Sequence, residues 1–236
     1  MTDKNELSKI AAMTRMALKH SAELGVGVPE VDREVLDEIN ISPTLADKET
    51  LLRQFESEIE NCTKCQLYKG RNKLVFGAGN PDADVMFIGE GPGRDEDLKG
   101  EPFVGRGGQL LDKILAAIKF DRKMIYIGNI VKCRPPNNRD PQPDEMAACM
   151  PYLFRQIEII QPKLICCLGR ISAQALLRTT TPLGKLRKKF HDFRGIKLIV
   201  TYHPAALLRF QQYKRDTWED VQMLRAEYDR MIGNQG

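Results

Sequence analysis

The chain has 236 residues, of which 42% are apolar and 29% charged, with a net charge of +4. That length allows one domain of ordinary size plus an extension, and the composition is that of a folded globular chain. No apolar run approaches the roughly 20 residues needed to span a bilayer, so no membrane-spanning helix is expected, and the mild basic excess points toward a polyanionic partner.

The opening "MTDKNELSKIAAM" has early acids and no apolar core, so it does not read as a secretory signal, and a cytoplasmic protein is expected. In that compartment six cysteines do not read as a disulfide framework. Residues 1–45 look like a separate extension, partly helical or mobile. "ELSKIAAMTRMALKHSAEL" has a loose apolar helical face, and "GVGVPEV" and "NISPTLAD" break the chain after it. A second domain is expected over 46–236. It begins with a helix bearing Leu51, Leu52, Phe55 and Ile59, with Asp47 or Thr50 as its cap.

Four short runs then read as strands: "DVMFIG" (84–89), "MIYIGNI" (124–130), "KLICCLG" (163–169) and "IKLIVTY" (196–202). Each is aliphatic on both faces, which suits strands covered on both sides. Helical stretches follow each run: "GGQLLDKILAAIKF", "DEMAACMPYLFRQIEII", "RISAQALLRT" and "TWEDVQMLRAEYDRMI". The alternation predicts an α/β fold, a three-layer αβα sandwich with a central four-stranded parallel sheet. Ligands of such sheets sit beyond the carboxyl ends of the strands. The residues there are Glu90 to Gly93, Asn129, Gly169, Arg170 and Tyr202 to Pro204. Asn129, a polar side chain closing a buried strand, either bonds loop backbone or reads a ligand.

The turn "GEGPGRDED" nearly fits a dinucleotide-binding glycine loop, but Arg94 stands where the last glycine belongs, and no Gly-Lys-Ser/Thr follows. Glu90, Asp95, Glu96 and Asp97 would repel a pyrophosphate, so the loop is read as a catalytic edge, with a carboxylate placed for water activation or cation stabilisation. Phe103, in the glycine-rich loop that follows, is either a core anchor or a base-stacking platform. Cys62 and Cys65 form a CxxC turn, Cys133 lies 68 positions after Cys65, and Cys149 follows after 16 more. Thiolates so spaced suit zinc or an iron–sulfur cluster. The long gap and the lack of a second CxxC favour a [4Fe–4S] cluster, with a redox CxxC pair as the competitor. Cys166 and Cys167, mid-strand, read as core fillers.

Taken together, "GEGPGRDEDLKGEPFVGRGGQLL", "NIVKCRPPNNRDPQPDE…C" and "TYHPAALLR", in that order and framed by the cysteines, closely resemble the family 4 uracil-DNA glycosylases over roughly residues 55–230. The resemblance implies hydrolysis of the bond between uracil and deoxyribose in DNA, initiating base excision repair, by a monomer with a structural [4Fe–4S] cluster. It implies that Cys62, Cys65, Cys133 and Cys149 hold the cluster and that Phe103 stacks on a flipped uracil. Asn129 would then read the polar edge of the base, and His203 would lie beside uracil O2 and stabilise the departing anion. Glu90 and Gly91 would lie in the water-side loop.

The basic run "LGKLRKKFHDFRG", with Lys185, Arg187, Lys188, Lys189 and Arg194, is either a DNA contact or a solvated hairpin. Arg209, Lys214 and Arg215 follow His203, and Leu207 or Leu208 is the expected wedge into the base stack. His191 reads as a surface residue or phosphate contact. A covalent uracil trap, an inactive iron–sulfur DNA binder and a nucleotide-dependent transferase are the competing readings. "CRPPNNRDPQPDE" lacks the histidine of a trap, Glu90, Phe103, Asn129 and His203 are all present, and the phosphate-loop signature is missing.

Overall fold

The computed structural model describes residues 47–233, and from Lys48 on they belong to one compact unit. The extension expected over 1–45 lies outside the described residues. Helix α1 (Lys48–Ile59) places Asp47 just before its first turn and Thr50 inside it. It buries Leu52 and Ile59, two positions of the anticipated apolar face. Among the described residues no helix is long and apolar enough to cross a membrane.

The sheet has six strands rather than four: β1 (Ala78–Gly79), β2 (Val85–Gly89), β3 (Ile125–Asn129), β4 (Leu164–Leu168), β5 (His191–Phe193) and β6 (Ile196–Thr201), in the order β1-β3-β2-β4-β6-β5. The four inner strands are parallel and are the four apolar runs of the sequence. The two additions are short antiparallel edges. Two or three residues are too few to carry a period-2 pattern, and β1 contains Gly79, a poor strand former. Their shortness limits the exposed edge open to another chain. His191, expected as a surface residue or phosphate contact, lies half-buried on the edge strand β5, its Nε2 2.7 Å from the Leu186 carbonyl.

Successive side chains of a strand point to opposite faces. Val85, Phe87, Ile125, Ile127, Cys166 and Ile199 pack on one side with Leu111 and Leu115 of helix α3 (Arg106–Ala117) and Val221 and Leu224 of helix α8 (Tyr213–Gly233). Met86, Ile88, Ile165, Cys167 and Val200 face the other side, against α1, helix α4 (Pro143–Ile160) and helix α5 (Arg170–Leu177). The layers are therefore αβα, and Cys166 and Cys167 are buried filler on opposite faces. Three short helices were not expected from the pattern: α2 (Arg94–Lys99), α6 (Leu183–Leu186) and α7 (Pro204–Arg209). Helix α2 forms out of the acidic turn and stops at Gly100, whose φ of +84° gives the left-handed cap that glycine allows. Helix α7 starts at Pro204, whose fixed φ and missing N–H suit the first helical position.

Candidate active site at the carboxyl edge of the sheet

Gly89 ends β2 and Asn129 ends β3, and the parallel register pairs them. Asn129 is 2% exposed, and its Oδ1 is a buried oxygen with no hydrogen-bond partner among the described residues. Such an orphan typically costs 1–3 kcal/mol, so it is kept for something it meets outside the chain. A Cβ on Gly89 would lie 2.4 Å from Asn129 Oδ1 and 2.7 Å from Phe103 Cζ. The missing side chain is what lets the amide and the ring edge converge over the strand end. Gly89 thus makes room for two of the protein's own side chains.

Phe103 is buried among the α3-side core residues, so the core-anchor reading holds, and its ring also stacks on the His203 ring at 5.4 Å and 29°. Its backbone sits at φ +54°, a conformation that needs outside support. Arg122 supplies part of it, donating to the Pro102 carbonyl at 3.1 Å and to the Phe103 carbonyl while its Nε pairs with Asp112 at 2.7 Å. Glu96 supplies the rest, accepting the N–H groups of Gly93, Val104 and Gly105 at 3.1, 2.9 and 2.8 Å. Gly108 lies so close beneath that a Cβ there would be 1.8 Å from the Phe103 carbonyl oxygen. Asp97 is buried too, accepting the Asn72 backbone N–H at 2.9 Å. Of the four acids counted as one charged crowd, Glu96 and Asp97 are therefore structural ties.

His203 precedes α7, and its Nδ1 accepts the Ala205 N–H at 3.1 Å. That bond assigns the neutral ring's proton to Nε2, leaving a donor available. Burial pushes the imidazole down to about 4, against the pull of Glu96, so the ring is neutral near pH 7. Glu90 follows Gly89 and is half-buried. Burial, reinforced by the negative charge of Asp140 and opposed by Arg170, pushes its carboxyl up to about 7, where a general base works best. Asp140 and Arg170 form an ion pair with each other. At Gly91 a Cβ would meet Val131 Cγ2 at 2.6 Å, so the loop carrying Glu90 lies tight against the segment after β3.

Cys62, Cys65, Cys133 and Cys149 are all free and line one cavity with Tyr68, Leu74, Lys132 and Tyr152. Several donors reach the sulfurs: the Lys132 N–H to Cys149 Sγ at 3.3 Å, Arg71 to Cys133 Sγ at 3.4 Å and the Lys64 N–H to Cys62 Sγ at 3.5 Å. The Tyr152 hydroxyl lies 3.1 Å from Cys62 Sγ. Burial raises the thiols of Cys65 and Cys133 and pushes Cys149 up to about 11. Thiolates here therefore need a compensating positive charge. Among the described residues no three His, Cys, Asp or Glu side chains close around a single metal ion.

The model of the uracil DNA glycosylase superfamily matches residues 76–222, more than half of the chain. The type-4 uracil-DNA glycosylase of Archaeoglobus fulgidus is 45% identical over 175 residues, which cover 71% of this chain and 88% of that protein. Those of Saccharolobus solfataricus (45% over 177 residues, 71% and 82%) and Thermotoga maritima (41% over 179 residues, 74% and 93%) are similar to it to much the same degree. The chain belongs to the uracil-DNA glycosylase superfamily. The superfamily match takes in Glu90, Phe103, Asn129 and His203 together with Cys133 and Cys149, and starts after Cys62 and Cys65.

The outer rim of the candidate site differs from the sequence expectation at two residues. Arg187 does not face outward: it is buried, pairs with Asp220 at 2.7 Å and Asp216 at 2.9 Å, and lies over the Tyr202 ring. A guanidinium so occupied has no free face for a phosphate. Leu207 is 2% exposed, within the core, whereas Leu208 is 41% exposed, so only Leu208 suits a wedge. Lys185 and Arg209 are exposed, and Lys188 is exposed but paired with Glu219 at 2.7 Å. The reading also missed Phe210, 48% exposed just beyond Arg209, and the roles of Gly89, Arg122, Asp140 and Arg170. Arg187 sits in a run of like charges and looks like its neighbours in sequence. Only its two partners on α8, about 30 positions away, distinguish it.

Proposed function

We propose that the protein is a uracil-DNA glycosylase: it takes a uracil turned out of DNA, hydrolyses the N-glycosidic bond and leaves an abasic site, the first step of base excision repair. The observation that carries this is the unpartnered Asn129 Oδ1 set over Gly89 beside the Phe103 ring. A buried acceptor and an aromatic face together match the polar edge and the π-face of a nucleobase. Turning the base out costs a few kcal/mol, and stacking of about 1–3 kcal/mol plus the satisfied amide offsets it.

The reaction follows from the neighbours. Water attacks C1′ and its proton passes to Glu90, which also faces the oxocarbenium-like sugar as the bond to N1 breaks. The bonding pair leaves with uracil as an anion, and the Nε2–H of His203 donates to its O2. A neutral donor suffices here, because the fixed tautomer presents the proton without paying to charge a buried ring. N1 is then protonated from solvent, and Glu90 returns the water's proton to solvent, which restores the carboxylate. Gly91 keeps the loop close to the segment after β3 so that Glu90 stays on the water side.

A structural [4Fe–4S] cluster is the reading that best fits Cys62, Cys65, Cys133 and Cys149. One zinc ion would need all four sulfurs within a shell of about 2.3 Å, whereas a multi-iron cluster takes thiolates spread around a wider cavity, with N–H donors to sulfur as found here. When bound it would tie the turn after α1, the segment after β3 and α4 to one another, and would supply the positive charge the buried thiolates lack. Lys185, Lys188 and Arg209 suit phosphate contacts and Leu208 the space left in the stack. One chain supplies every residue of the site, which supports action as a monomer. Incubation of the cluster-loaded protein with a labelled uracil-containing strand, followed by alkali, tests the reading: cleavage at the uracil position is expected, and an intact strand would refute it.

A further inference from the structure

Lys132 is 1% exposed, among the largest fully buried side chains, and takes no direct part in the chemistry above. A buried ammonium is costly unless its donors are satisfied. Its Nζ donates to the Asn129 carbonyl at 3.1 Å and to Gln156 Oε1 at 2.6 Å. Gln156 is itself fixed, its Nε2 donating to the Phe76 carbonyl at 2.9 Å. The Lys132 backbone is held as well, its N–H on Cys149 Sγ at 3.3 Å and its carbonyl accepting the Val75 N–H at 2.8 Å. Cys149 and Gln156 lie seven positions apart on α4, two turns along one helical face. One side of one helix therefore grips both ends of Lys132, and Lys132 grips the backbone of the residue whose amide is left open for a base.

We propose that Lys132 is a positioning residue for base recognition, clipping Asn129 to the face of α4 that carries Cys149 and so fixing how far the Asn129 amide reaches into the site. This rests on Asn129 reading the base. The clip acts through the amide, so its effect must vanish when the amide is gone. The backbone bonds to β2 run on past Asn129, with the Ile130 and Val131 N–H groups on the Gly89 and Glu90 carbonyls at 3.1 Å each, so the clip adds a tie from α4 to a strand end already paired along one edge.

The test is a double-mutant cycle of Lys132→Met and Asn129→Ala, read as kcat/KM for uracil release, with iron and sulfide content measured on each protein. Lys132→Met is expected to lower kcat/KM by roughly 10- to 100-fold with Asn129 present, since displacements near 1 Å cost about that much. With Asn129→Ala it should change the rate less than about twofold, at unchanged iron content. Multiplying losses, or loss of iron from Lys132→Met, would overturn the proposal. Should Lys132→Met fail to fold, Gln156→Leu removes the second acceptor and leaves the lysine in place. Its loss should be smaller and again absent in Asn129→Ala, and independence of Asn129 would overturn the proposal just as well. Wild-type turnover by Asn129→Ala alone would instead remove the base-reading role of Asn129, a different failure.

Discussion

Gly89→Ala separates the site from the fold. The added Cβ would lie 2.4 Å from Asn129 Oδ1 and 2.7 Å from Phe103 Cζ, about 1 Å inside ordinary contact. Gly89 is not among the glycines with positive φ, so alanine suits its backbone, and both obstacles are side-chain tips. The strand therefore forms, while the amide, the ring or both move by about 1 Å. Misplacement on that scale costs on the order of 100-fold in rate, about 2.7 kcal/mol of transition-state stabilisation. Single-turnover kinetics on a uracil-containing oligonucleotide, with thermal melting of the same samples, read both consequences. A melting temperature near that of the parent protein with kcat/KM down about 100-fold is expected. Unchanged kinetics would show that Asn129 and Phe103 do not converge on the reacting base, and global unfolding would show that Gly89 serves the fold instead.

Three further outcomes follow from particular contacts. Because the carboxyl of Glu90 is pushed up to about 7, the rate should rise as pH climbs through that value. Asp140→Asn should move this limb down and Arg170→Gln should move it up, each by roughly half a pH unit to one, and Glu90→Gln should abolish most turnover, near-full turnover making a base role untenable. The same shift has a stability consequence: between pH 4.5 and about 7 the folded chain holds a proton that the unfolded chain releases, so this contribution is lost as pH rises. Glu90→Gln should therefore stabilise at pH 8, by on the order of 1 kcal/mol after allowing for partial solvation, as measured by denaturant titration. Leu207→Ala should cost about 2–5 kcal/mol of stability, while Leu208→Ala should leave melting unchanged and lower activity more on duplex than on single-stranded uracil. If the four cysteines hold the proposed cluster, removing its iron with a chelator should lower the melting temperature by roughly 10 °C, since they join separate segments, and an unchanged melt would deny it a structural role.

The parts of the molecule legible in sequence are those whose signal is local and repeated. Four buried strands announce themselves as aliphatic runs, and the parallel sheet they imply already puts Glu90, Asn129 and His203 on one edge. The edge strands β1 and β5 and the six-residue helix at the acidic turn are too short to show a period. The roles of Glu96, Arg122, Lys132 and Arg187 are set by partners distant in sequence or by backbone groups, which no spacing within the chain encodes. The pairing of Gly89 with Asn129 is likewise fixed only once β2 and β3 are in register. Leu207 and Leu208 differ only in which face of α7 they occupy, and that face is decided by how α7 sits on the layers beneath it.

The most direct measurement is the chromatographic detection of free base after incubating the intact protein with matched strands bearing uracil, cytosine or thymine at one position. Free uracil, released in equal amount to the alkali-labile sites formed and without release of cytosine or thymine, is the predicted result. No free base from any strand, or release that does not depend on Asn129, would contradict the account.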